Sequence, residues 1–242
     1  MSAALAWGAV ASSALVVGAL LAGARRWPSQ QVGMVLAFGA GALISAIGFE
    51  LAAEGIEVGS VQAVAVGLGA GALAYFVLDG GIASRFSTGR GRAGRGEGSD
   101  AGTALALGAF LDGIPEQLVL GIGLAGGQGV SAGLVVAIFV SNLPEAIGSA
   151  AAMEESGVRK RRVLALWLGV AAICTLASAA GYGIADLVSG ELRAAIDGFA
   201  AGALLVLLVD SMIPEATRES GRVAGLLTTL GFAVATALSS IA

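Results

Sequence analysis

The chain has 242 residues, of which 57% are apolar, 12% are charged and 39 are glycine, and its formal net charge is −4. Soluble domains run at roughly 45–50% apolar and about 25% charged residues, so a water-soluble enzyme or binding domain is excluded and a polytopic membrane protein is expected. A single cysteine and no histidine exclude a disulfide framework and any His- or Cys-rich metal cluster.

A bilayer core of about 30 Å takes roughly 20 apolar residues per helix. In chain order such segments fall at 2–24, 31–54, 61–79, 102–126, 130–152, 163–188, 194–217 and 222–242. The expected fold is therefore all-α, a bundle of eight transmembrane helices forming one domain over residues 1–242. The glycines suit it, because small residues let helix backbones approach where water supplies no driving force for association. The first segment has no basic stretch ahead of its apolar run and its arginines come after it, the reverse of a secretory signal, so it reads as a span.

Twelve of the 13 basic residues follow odd-numbered spans. They are Arg25 and Arg26, then Arg85, Arg90, Arg92 and Arg95, then Arg159, Lys160, Arg161 and Arg162, then Arg218 and Arg222. Basic loops stay in the cytoplasm, so both termini are expected outside, in a prokaryotic plasma membrane. Only Arg193 falls on the opposite side. The connection at 80–101 contains "SRFSTGRGRAGRGEGSD" at 84–100, rich in Gly and Arg without periodicity, and reads as a disordered cytoplasmic loop. Its arginines fit anionic lipid headgroups rather than nucleic acid.

Three stretches share a signature: "DGIPEQ" at 112–117, "SNLPEA" at 141–146 and "DSMIPEA" at 210–216, with a fainter "FELAAEG" at 49–55. The spacing from Glu50 to Glu54 matches that from Ser211 to Glu215. Spans one to three and six to eight are accordingly expected to form an inverted repeat around a central pair, a 3+2+3 plan common in transporters.

Glu116 lies near the middle of the fourth span and Glu145 near the middle of the fifth. Facing lipid, each would cost about 2.5–3.5 kcal/mol on an insertion scale, so they must face protein, water or an ion. Asp112 and Glu116 are four residues apart, as are Ser141 and Glu145, which puts each pair on one helix face. Asn142 flanks the second pair. Pro115 and Pro144 lack the N–H groups that would bond the carbonyls of Leu111 and Val140, leaving further oxygens free. No Lys or Arg is expected within a span, so a metal ion or protons must balance the charge. The candidate metal set is Asp112, Glu116, Ser141, Asn142 and Glu145, with Glu50 and Asp210 as candidate pathway residues. Cys174, in the sixth span, reads as a small buried filler.

At these residues the sequence resembles the ZIP (Zrt/Irt-like) family of divalent metal-ion transporters. The family carries HNxPEG-type and HExPE- or QNxPE-type motifs in its fourth and fifth helices, where this chain has "DGIPEQ" and "SNLPE". "DSMIPEA" looks like the family's "DELLPEA", and "FELAAE" like its "ELLPE". The resemblance implies that Glu116 and Glu145 are the core ligands, completed by Asp112, Ser141 and Asn142. It also implies eight spans, an elevator-like movement of the unit made by spans one, four, five and six, and a homodimer. Asp112 and Gly113 stand where the family has His and Asn, and the sixth span has no acidic bridge to a second metal.

Oxygen donors suit hard cations, whereas the resemblance points to zinc, and zinc accepts carboxylates too. The expected function is transport of a divalent metal cation, zinc by resemblance and Mn²⁺ or Fe²⁺ by donor set, through alternating access and without a resident cofactor. The alternative is a proton-coupled carrier of a non-metal solute that uses the same acids as a relay. Enzymatic activity is not expected, since there is no histidine, no GxSxG and no Cys beside a base. A purely structural scaffold would leave the buried acids without purpose.

Overall fold

The computed structural model describes residues 1–25, 27–87, 113–125 and 132–240, and every element among them is helical. In chain order these are α1 (Ser2–Ala24), α2 (Ser29–Val58), α3 (Val61–Ser87), α4 (Gly113–Ala125), α5 (Ala132–Glu155), α6 (Lys160–Ile184), α7 (Gly190–Ser220) and α8 (Val223–Ser239). Six are long and apolar enough to cross a membrane, as an integral membrane protein requires, while α4 and α8 are shorter apolar helices. Residues 102–112, expected to begin the fourth span, lie outside the described residues. Helix α3 runs on to Ser87, into the first part of the segment expected as a loop, and residues 88–101 also lie outside the described residues.

Local chemistry fixes the helix ends. After α1, the Trp27 indole N–H donates to the Leu21 carbonyl at 2.9 Å. The Arg25 guanidinium lies 4.0 Å above the Trp27 ring and donates to Gln31 at 2.7 Å. The Lys160 ammonium donates to the carbonyl of Gly23, where the α1 dipole favours a cation. Gly157, with φ 92°, turns the chain between α5 and α6, and Gly221, with φ 62°, does so between α7 and α8.

Helix α7 starts ahead of the apolar run expected from sequence. The Ser189 side chain accepts from the Leu192 N–H at 3.3 Å, so the helix begins at Gly190 and draws Arg193 into its first turns. The helix Gly190–Ser220 thus reaches beyond the apolar run expected at 194–217 on both sides and carries Arg193 near one end and Arg218 near the other.

Two helices widen into π-helical turns, α2 over Ala46–Ala53 and α7 over Leu208–Met212. Each wide turn carries an acid, Glu50 or Asp210. In α7, Pro214 follows and cannot donate to the Asp210 carbonyl, which favours a local break in the ladder. Helix α2 has Ala53 at that point, and no residue there accounts for its wide turn.

Helix α1 packs along α5 and α6, and α3 packs along α7. Helix α2 packs along α8 and the last turns of α7, and also crosses α5. The Gln117 amide of α4 donates to Ser12 of α1 at 3.0 Å, and α4 also meets α6 where Gly181 faces the Leu118 carbonyl. One apolar cluster, with Leu15, Ala146, Val163 and Trp167, joins α1, α5 and α6. Another, with Leu43, Ile138, Leu204 and Met212, joins α2, α5 and α7.

The α2–α8 and α3–α7 crossings are built alike. A Cβ on Gly41 would collide with the Thr228 carbonyl, and one on Gly231 with the Phe38 carbonyl. Likewise a Cβ on Gly202 would collide with the Leu68 carbonyl, and one on Gly71 with the Phe199 carbonyl. The stretch "FGAGAL" at 38–43 returns as "FAAGAL" at 199–204. In that same register Gly33 aligns with Ala194 and Glu54 with Glu215. Gly33 faces Ser220, and Gly59 faces Ala194, so both ends of the α2–α7 contact also correspond.

Candidate intramembrane carboxylate site

Helix α4 presents Glu116 and Gln117, which are 3% and 1% exposed, just after Pro115. Helix α5 presents Ser141 and Asn142, also buried, and Glu145, half-buried, around Pro144. The Glu116 carboxylate lies within reach of the Asn142 amide and within electrostatic reach of Glu145. The Oε2 atom of Glu116 is buried and has no hydrogen-bond partner. An unpartnered carboxylate oxygen in an apolar bundle is costly, and a cation or a proton removes that cost.

The remaining polar groups converge on Ile138. The Asn142 amide donates to its carbonyl at 2.9 Å, and the Ser141 hydroxyl does so at 3.1 Å. The Val140 carbonyl, deprived of a donor by Pro144, instead faces Gly39 of α2, where an added Cβ would stand 3.0 Å from it. An alanine at this position would make α5 give way by a few tenths of an ångström, so glycine eases the approach of α2 to the Ser141–Glu145 turn.

Toward the basic-loop end, Glu145 is within electrostatic reach of Glu215 on α7. Glu215 borders a cavity of about 400 Å³ between the ends of α1, α2, α5 and α7, with Trp27, Val32, Gly148, Glu155 and Glu219 among its walls. Carboxylates therefore run from Glu116 through Glu145 and Glu215 to the mouth of this cavity.

Of the residues expected from sequence, the fold brings Glu116, Asn142 and Glu145 together, with Ser141 one residue from Asn142 on α5. Asp112 lies outside the described residues. Glu50 is half-buried, with Oε1 beside Gly133 of α5, and its electrostatic partner is Glu54. Asp210 is exposed on the α7 surface. Neither Glu50 nor Asp210 is among the charged groups acting on Glu116 or Glu145. Among the described residues, no three His, Cys, Asp or Glu side chains are grouped so as to hold a metal ion. The described part of the site is two carboxylates with amide and hydroxyl oxygens, a donor set that suits a hard or borderline divalent cation.

Sequence reading missed three groups. Asp197, 2% exposed, pairs with Arg193 at 3.8 Å, and Arg193 also pairs with Glu54 of α2. The spacing of four residues between Arg193 and Asp197 was the available signal. Gln117 is tied to α1, which its position after the PE pair did not reveal. Cys174 is a buried filler as expected, but its Sγ would lie 2.7 Å from a Cβ on Gly113, and it stands within electrostatic reach of Glu116.

No protein-family model matches the chain, and no curated protein matches it.

Proposed function

We propose that the protein is a ZIP-like transporter of a divalent metal cation, which it carries past Glu116 and Glu145 by alternating access. The observation that carries the reading is the Glu116–Asn142–Glu145 cluster, with a buried, unpartnered carboxylate oxygen and, among the described residues, no cationic side chain acting on it. Ionisable groups within a span pair with one another or mark an ion path, and these two acids repel unless a positive species joins them. The chain of acids to the cavity at the basic-loop end supplies a route for release.

The packing supports an eight-span, 3+2+3 inverted repeat. The matched pairs Gly41–Thr228 with Gly202–Leu68, and Phe38–Gly231 with Phe199–Gly71, are what a pseudo-twofold axis in the membrane plane generates. Helices α1, α4, α5 and α6 hold both acids and adhere through Gln117–Ser12 and the Trp167 cluster, whereas α2, α3, α7 and α8 adhere through the glycine crossings. Their border at Gly39 and Val140 is where one group moves past the other.

The test is uptake of Zn²⁺, Mn²⁺ and Fe²⁺ into liposomes holding the purified protein. Wild type should accumulate at least one of them, and Glu116→Ala and Glu145→Ala should not. Transport by both variants at the wild-type rate overturns the site. Solute flux driven by a pH gradient, with no cation uptake, would favour the proton-coupled carrier.

A further inference from the structure

At the end of the bundle away from the basic loops, α2 and α7 meet through charge rather than glycine alone. Arg193 pairs with Glu54 and, at 3.8 Å, with Asp197. Glu54 also lies within electrostatic reach of Glu50 and Glu57, so the two acids that hold the guanidinium belong to a cluster with an excess of negative charge. The match is incomplete: Asp197 is 2% exposed, and its Oδ2 and the Arg193 Nε are both buried without a hydrogen-bond partner. A charge buried with imperfect hydrogen bonding gains little from its pair.

The register that aligns Phe38 with Phe199 aligns Glu54 with Glu215 and Arg193 with Val32. At the basic-loop end, Glu215 and Val32 border the open cavity together with Arg25, and among the described residues the ion-pair partner of Glu215 is Arg218, 69% exposed and 3.9 Å away. Equivalent acids thus stand at both ends of the α2–α7 contact. At one end the space is open, and at the other a guanidinium fills it.

We propose that Glu54 and Asp197 form a second cation-binding site, in which the Arg193 guanidinium is a tethered occupant that an incoming divalent cation displaces. The cation class rests on the transport reading; the site itself rests on the Glu54–Arg193–Asp197 geometry. Two carboxylates about one vacated position match the oxygen donors that Mn²⁺ and Zn²⁺ accept. Arg193 then sets how readily cations enter from that end, because each must first compete with a side chain already in place.

The experiment removes the central site first. In a Glu116→Gln/Glu145→Gln background, Mn²⁺ binding is measured by equilibrium dialysis for the parent, for added Arg193→Gln, and for Arg193→Gln with Asp197→Asn. The parent should bind little, Arg193→Gln should gain one Mn²⁺, and Asp197→Asn should abolish the gain. A folded Arg193→Gln protein that binds no more than its parent overturns the proposal. A parent that binds as wild type does would overturn the central site instead, while the Arg193→Gln comparison keeps its meaning. If Arg193→Gln does not fold, Glu54→Gln alone in the otherwise native transporter decides. A several-fold higher KM for external cation at unchanged kcat supports the proposal, and an unchanged KM, or a fall in kcat alone, overturns it.

Discussion

The Glu116 carboxylate lies within reach of the Asn142 amide, so α4 and α5, two of the three helices carrying a proline beside a glutamate, meet through a carboxylate and an amide. The amide also donates to the Ile138 carbonyl within its own helix at 2.9 Å, which fixes its orientation. Asn142 therefore helps to hold Glu116 in place.

Replacing Asn142 by Leu should weaken both stability and cation binding. A buried carboxylate left without its donor costs about 1–3 kcal/mol. A cation at about 100 times its Kd should stabilise the folded wild type by about 2.7 kcal/mol. Melting in detergent with and without Zn²⁺ or Mn²⁺ checks both points. An equal cation-induced rise in Tm for wild type and Asn142→Leu would show that Asn142 takes no part in the site.

Gly41→Ala and Gly202→Ala should each lower stability, by about 1–3 kcal/mol or more, because the new methyl meets a backbone carbonyl that cannot turn aside. The two losses should be alike, since the crossings at Thr228 and Leu68 correspond. Gly69→Ala, where nothing stands within 4 Å of the added carbon, should be nearly neutral. Thermal melts of the three variants suffice, and a harmless Gly41→Ala would contradict the close crossing.

The Gln117–Ser12 hydrogen bond should give a measurable coupling in a double-mutant cycle using Gln117→Leu and Ser12→Ala. Hydrogen bonds between membrane helices average about 0.6 kcal/mol in such cycles. Gln117 is buried with an unpartnered Oε1, so removing Ser12 alone should cost more than removing both partners. Unfolding free energies in mixed micelles would read this out, and strict additivity would place the two side chains apart.

Asp112 stands where the resembled family has histidine. Asp112→His should shift selectivity toward Zn²⁺ relative to Mn²⁺, because imidazole favours later transition metals over hard cations. Competition uptake with both ions in one assay checks the direction. An unchanged ratio would remove Asp112 from the selectivity determinants.

Much of this protein is written along the chain at short range. A mean of 57% apolar residues and long uninterrupted runs dictate membrane helices, since in lipid each backbone polar group must be satisfied within its own segment. Glu116 and Glu145 stand out for the same reason, as charges in apolar runs are expensive. The i,i+4 spacing within "SNLPE" put Ser141 and Glu145 on one face before any fold was known. What lay beyond reach was the partner of each group. The start of α7 depended on the Ser189 cap, which moved Arg193 from a loop into a helix, and only packing of α2 against α7 turned Arg193, Glu54 and Asp197 into a cluster. Likewise "FGAGAL" and "FAAGAL" are two apolar scraps until their glycines are seen to admit Thr228 and Leu68. The sequence by itself determined that the chain is helical, apolar enough to cross a membrane and acidic within its apolar runs, because those properties follow from local composition and periodicity. The tertiary structure alone decided which acids meet, which are capped by a cation and which are left open, because those depend on helices from distant parts of the chain approaching to within a side chain's length.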